Sequence, residues 1–477
     1  MKQFKPHEHL TEEAAAFTHR LLLIGLGLLV ILAWYFWQER VFILDASYQV
    51  FSLLEQDGLP IQHQRFGGAI VFFLPKLLVL IGAPLGMVLL GYSLSFVLYP
   101  ILLFLLLKRW GLSTYSWALA CLFLFISAHT FFWIQSELII ATVLALVTIG
   151  VTANSSWPMT IRLFGLIPLC WLTVYTHPLG IAPLLAGWLF LLARDRGVRE
   201  KSGSSRIFLA AMALALILFI ARQFIFNQSN YDQAAMGMAD NLLSNLTGLF
   251  GHPAMDRFMR YSLSTQLPMT IVLSMIIYYY LQQKQYWRLA AVAAPFFAWL
   301  CLIVCAWPWA PDRFYIESYY YVFGSILALP FVLDVLPRLG WKWSKRLLIG
   351  FVVFRIVMIV LVSPPYQSRL VYLQEKVSVL QAQEQERLLI QRDRLDMQRL
   401  KMEWALSFES LMLSTYADPE RPRTIMAIEG DPPDYCKDPN LASIPTSFGS
   451  IGYERLANQT YIQLSDTGAV TEIQIDW

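Results

Sequence analysis

Charge is scarce in this chain. Of its 477 residues only 14% are Asp, Glu, Lys or Arg, against roughly 25% in soluble proteins. Apolar residues make up 57%, and mean hydropathy is +0.51. A water-facing globule of this length is excluded. The net charge of +3 supplies no basic field for nucleic acid, so no such partner is expected. Cysteine is sparse too. The five, at 121, 170, 301, 305 and 436, form no Cys-x-x-Cys pair, and four sit in apolar runs, which argues against a disulfide framework or zinc site. Internal repeats and low-complexity tracts are also lacking, which counts against a transporter built from two matching halves.

Long apolar runs are what the chain has in abundance. A spanning helix needs about 20 mostly apolar residues. Runs of that kind fall near 20–36, 85–107, 113–133, 138–153, 161–177, 179–193, 207–225, 268–282, 289–307, 318–336 and 346–363, which predicts eleven spans. The first is long and lacks a small-residue cleavage site, so it reads as a retained helix rather than a signal peptide. With the N-terminus (1–19) inside, seventeen Lys and Arg fall in the cytoplasmic stretches and six in the opposite loops. By the positive-inside rule everything after 363 is then external. The stretch 66–84 is apolar but contains Pro75 and Lys76. It reads as a helix lying on or dipping into the external face.

The expected fold is thus an all-α polytopic membrane domain (20–363) of about eleven helices. Its first external loop, 38–84, contains an amphipathic helix over Ala46–Leu54, with Asp45 as N-cap and Gly58 as stop. A second long external loop, 226–267, offers Asp232, Asp240, His252, Asp256, Arg257 and Arg260. Residues 364–406 carry mixed charges and recurring Leu, Val and Met without Gly, and read as a long amphipathic helix. Leu388, Leu395 and Met402 are seven apart, as are Leu373 and Leu380, but in different registers, which favours packing of 368–406 on a protein partner or on the rest of the molecule over a regular coiled coil. Residues 407–477 read as a small external domain with weak strand character near 423–428 and 458–476, giving an α+β appendage.

This order of features resembles the GT-C superfamily of integral-membrane glycosyltransferases. That family opens with one span, then an external loop whose first helix begins at an acid, followed by a Tyr, a Leu and a Gly. Here these are Asp45-Ala46-Ser47-Tyr48, Leu53-Leu54 and Gly58. A basic cytoplasmic turn (Leu107-Lys108-Arg109-Trp110-Gly111), a Ser136-Glu137 pair and a late Arg313-Phe314-Tyr315 follow in the family's order. Ala46 stands where many members carry a second acid. The resemblance implies a lipid bilayer location, a polyprenyl-phosphate sugar as donor and a periplasmic acceptor at a bacterial inner membrane. A divalent metal stays an open cofactor, and no metal ligand is assigned.

Sugar transfer from a lipid phosphate needs a carboxylate for the acceptor proton and positive charge for the leaving phosphate. Asp45 is the candidate base, with an ordinary N-cap as its plain alternative. Glu137 could orient the acceptor or assist a metal, or be a boundary residue. Arg313 suits bidentate phosphate contact, or anchors the interface by pairing with Asp312 or Glu317. His63 and Arg65 follow the first interfacial helix, and His177 precedes Pro178 at an external turn. Tyr48 and Tyr315 are carried by the resemblance, and a solvated face accounts for Arg257 and Arg260 equally well. Arg355 falls mid-span and is expected to face the bundle interior or another subunit. Three functions follow: a GT-C-type transferase, a non-catalytic relative in an envelope assembly, and a lipid-linked glycan transporter.

Overall fold

The computed structural model describes residues 12–134, 137–195, 203–224, 242–308, 313–437, 443–447, 449–452, 461–464 and 470–473. Its helices in chain order are α1 (Glu12–Tyr35), α2 (Trp37–Val41), α3 (Leu44–Glu55), α4 (Gly68–Leu80), α5 (Leu85–Arg109), α6 (Ser113–Ile126), α7 (Glu137–Ala153), α8 (Met159–Thr176), α9 (Ile181–Asp195) and α10 (Gly203–Phe224). There follow α11 (Leu242–Leu246), α12 (Pro253–Ser262), α13 (Leu267–Gln282), α14 (Tyr286–Ala306), α15 (Arg313–Pro330), α16 (Trp341–Val362), α17 (Pro364–Gln381), α18 (Met397–Leu400) and α19 (Leu406–Ala417).

Eight helices among the described residues are long and apolar enough to cross a membrane: α1, α5, α8, α10, α14, α9 with the turn before it, the helix continuing from α15 to Arg338, and α16 with α17. Four shorter apolar helices, α4, α6, α7 and α13, lie among them. Large apolar side chains such as Leu102, Phe164, Ile217, Phe297 and Leu361 stay exposed around the bundle, as they do where the solvent is lipid. This is a multi-pass helical membrane protein.

Local chemistry sets the helix ends. Gly82 and Gly111 take positive φ just past α4 and α5. In each turn the following residue donates back to the helix, Ala83 to Leu78 O and Leu112 to Leu107 O, which satisfies orphan carbonyls in the Schellman pattern. Prolines open α12, α13 and α17, where the missing N–H costs nothing.

Several of the polar groups buried in the bundle are paired within it. Arg355, fully buried on α16, donates to Leu124 O at 3.0 Å and to Phe125 O at the end of α6, and lies 3.5 Å from Gln266 Oε1. Gln266 donates to Ile126 O and Glu317, and Glu317 accepts the backbone N–H groups of Ala128 and Thr130, each at 2.9 Å. Arg355 therefore faces the interior, as its position in lipid requires, and its donors serve helix carbonyls of its own chain rather than another subunit. On the opposite side of the bundle Asp334 receives Arg194, Arg288 and the Tyr280 hydroxyl.

The tail departs from the expected long helix. α17 stops at Gln381, and residues 387–391 (RLLIQ) form strand β1. Strand β2 (Thr424–Ile428) pairs with it in parallel, and β5 (Thr471–Glu472) pairs on its other side. A hairpin of β3 (Ser443–Thr446) and β4 (Gly449–Gly452) stands apart. The seven-residue spacing of Leu388, Leu395 and Met402 does not mark a helix: Leu388 lies in β1, and Leu395 and Met402 lie outside the helices. A continuous buried run such as LLI suits a parallel strand covered on both faces, and α19 supplies the crossover between β1 and β2. The domain so formed begins before residue 407, and α17 and α19 pack it onto α2 and α3 of the first loop.

Candidate functional site

Helix α3 is the centre of the first loop, and charges hold it at both ends. At its C-terminal end Lys76, from α4, donates to Leu53 O at 3.2 Å and to Gln56 O. At its N-terminal end the Glu409 carboxylate accepts the Leu44 N–H. Each charge has the sign that the helix dipole favours there. Asp45 is the second residue of α3, and Ile43, not Asp45, occupies the N-cap position, without a side-chain cap. The helix ends at Glu55, where Gln56 turns extended, so Gly58 lies beyond the stop.

Beside α3 a cleft of about 320 Å³, counting its opening to solvent, is lined by Gln49, Gln62, Arg65, Phe72, Phe96 and Glu137, among others. The enclosed part holds about one water molecule. Arg65 donates to Glu137 Oε2 at 2.8 Å and narrows the cleft. Gln49 accepts the Tyr92 hydroxyl at 2.6 Å. The charges of Asp45 and Glu137 both bear on Tyr92, so both carboxylates lie near one phenol. Asp45 is half-buried and does not line the cleft itself.

Behind Arg65 the ring of Phe66 stacks on Trp171 (centroids 5.0 Å apart), and Trp171 stacks on Tyr175 at 5.2 Å. Arg222 sits 5.6 Å over the Tyr175 ring and donates to Val174 O. His177 closes this group. Its Nδ1 accepts the Leu179 N–H at 3.2 Å. Burial first, then the cations Arg65 and Arg222, push its imidazole well below the ordinary histidine range, so it is neutral and its Nδ1 stays an acceptor. Gly67 lets the loop touch α8, since a Cβ there would collide with the Thr176 side chain.

The predicted residues thus divide. Arg65 and Glu137 line the cleft, and His177 is close enough for the Arg65 charge to act on it. Tyr48 packs against Phe408 of α19, 4.8 Å between centroids, and not into the cleft. Burial raises its phenol above the usual value. His63 is exposed on the loop, with φ +49°. Arg260 pairs with Asp256 on the exposed side of α12, and Arg257 lies on the same helix. Neither reaches the cleft. Arg313 and Tyr315 begin α15, and their side chains lie outside the described residues, as do Ser136, Asp232, Asp240 and Asp312.

Sequence reasoning missed Gln49, Tyr92, Arg222 and the Arg369–Glu409 pair. Arg222 gave a signal, a lone cation at the end of an apolar run. Gln49 and Tyr92 gave none, because polar residues on amphipathic or interfacial helices are ordinary. No group of three or more His, Cys, Asp or Glu side chains that could hold a metal ion occurs among the described residues. Nor does any protein-family model, curated protein or solved structure match this chain.

Proposed function

We propose that this protein is a membrane glycosyltransferase of GT-C type that moves a sugar from a polyprenyl-phosphate donor to an acceptor on the external face of a bacterial inner membrane. The observation that carries the reading is the cleft at the first-loop face, where Arg65, Glu137, Gln49 and Gln62 are set among apolar walls beside the helix bearing Asp45. Arg65, a cation for a phosphate, and Glu137, a carboxylate, meet in the cleft, with Arg222 over Tyr175 behind it and Asp45 on the helix beside it, next to apolar helices suited to a prenyl chain. In an inverting displacement the acceptor oxygen attacks the anomeric carbon while its proton passes to Asp45. The bond from that carbon to the phosphate oxygen breaks, and the lipid phosphate leaves against the arginines. A donor enters only if Arg65 swings from Glu137 to the phosphate, because the enclosed space is too small as it stands.

Two features support the orientation and count of spans. Lys and Arg cluster on the side of the N-terminus. The tail packs on the loop that follows the first helix, which favours an odd number of crossings between the two termini. The eight long helices alone are even; with α6, α7 and α13 the count is eleven.

The test is Asp45→Asn in proteoliposomes supplied with labelled polyprenyl-phosphate hexoses and pentoses. Transfer is expected to fall about 10²- to 10⁴-fold, the usual share of a general base. Undiminished transfer removes Asp45 as the base. A second reading, a non-catalytic relative serving an envelope assembly, is favoured by the closed Arg65–Glu137 contact. It predicts no transfer from any donor by the unmodified protein, and co-purification of a partner that Asp45→Asn leaves unchanged.

A further inference from the structure

The turn that delivers Asp45 is held by residues more than 300 positions away. Leu44, immediately before Asp45, has φ +40°, a left-handed conformation that a branched side chain rarely adopts and that persists only where surroundings impose it. Its N–H is bound by the Glu409 carboxylate of α19. Arg369 of α17 donates from a single nitrogen, Nη2, to both oxygens of that carboxylate, at 2.6 and 2.7 Å. The same guanidinium donates to Phe42 O at 3.1 Å and to Leu400 O at 2.9 Å. Both side chains are buried, Glu409 completely. One buried, charge-assisted ion pair therefore holds the carbonyl before the turn and the amide within it. Phe408, the neighbour of Glu409, then packs along α3 against Tyr48 and Phe51.

We propose that the C-terminal domain positions the catalytic helix: Arg369 and Glu409 are positioning residues that fix the Phe42–Leu44 turn, and through it the direction in which Asp45 is presented. Neither reaches the cleft. This rests on the reading of Asp45 as the base, and it extends that reading by giving the tail a role in transfer. A plain packing contact between tail and loop is the competing account. It ties the domains together but leaves the turn as it is when the pair is broken.

The experiment uses the full chain in nanodiscs, comparing Glu409→Gln and Arg369→Lys with the unmodified protein. Glutamine keeps the shape and an acceptor for Leu44 but loses the ion pair; lysine keeps the charge but loses the separate guanidinium donors to Phe42 O and Leu400 O, and serves if the first variant folds poorly. Amide exchange over residues 42–48 is expected to quicken about tenfold or more, with α14 and α16 unchanged. Transfer is expected to fall about tenfold or more in kcat at constant KM, since the acceptor and donor contacts are intact. Unchanged exchange over 42–48 in both variants, or equal quickening everywhere, overturns the proposal. So does unchanged kcat in both variants where Asp45→Asn abolishes transfer. If exchange quickens locally but Asp45→Asn transfers normally, the positioning of the turn stands and the catalytic reading of Asp45 falls.

Discussion

His177 shows what one residue contributes at the edge of the cleft. A protonated imidazole would donate from both nitrogens, lose the Leu179 N–H and face Arg65 and Arg222. Its pKa is lowered in the folded chain, so between that value and the ordinary one near 6.5 the unfolded chain binds more protons. Stability from this group is then complete above about pH 6.5 and falls as pH drops below it. His177→Asn, which keeps an acceptor for the Leu179 N–H, is expected to flatten the decline in Tm between pH 7 and pH 5. Thermal unfolding in detergent across that range checks it; parallel slopes for the two proteins refute it.

Elements are joined by close approach and by shared carbonyls. At Gly67 the loop before α4 meets the Thr176 side chain with no room for a Cβ. Gly67→Ala is expected to destabilise by about 1–3 kcal/mol through overpacking, and a second change, Thr176→Ala, recovers part of the loss. The C-terminal end of α6 depends on Arg355, whose donors take the carbonyls of Leu124 and Phe125 that the helix leaves unpaired. Arg355→Met should cost about 3–5 kcal/mol, because it strands these carbonyls and removes the cation whose charge acts on Glu317. Added to Glu317→Gln the cost should be less than the sum, since the two charges are coupled. A double-mutant cycle on thermal unfolding measures this, and strict additivity contradicts it.

For the whole molecule the decisive feature is that the tail returns to the first loop. With α19 against α3 and α17 running on from α16, the two termini are expected on opposite sides of the membrane. Single cysteines at residue 5 and at residue 375, probed with an impermeant maleimide in intact and permeabilised cells, should label from opposite sides. Labelling of both from one side refutes the odd number of crossings.

Much of the fold was legible in the sequence, and the reason is physical. Hydropathy is a local sum, so a run such as Leu85–Leu107 declares its solvent and its helix without knowledge of its neighbours. Each of the eleven expected runs overlaps a helix of the described residues, although α6 stops at Ile126 inside the run 113–133; within 66–84, α4 spans Gly68–Leu80 and its Lys76 serves the end of α3. Asp45, Arg65, Glu137 and His177 were legible as ionisable groups where lipid makes such groups costly. Their arrangement was not. Arg65 finds Glu137 across 72 positions and Leu44 finds Glu409 across 365, and no periodicity carries information over such gaps. Tyr48 faces α19 instead of the cleft for the same reason, and RLLIQ became a strand because the rest of the domain covered both its faces. The sequence alone determined that lipid is the solvent and which segments lie in it. Only the tertiary structure decided which of the few remaining charges meet, because an ion pair depends on the path of the whole chain.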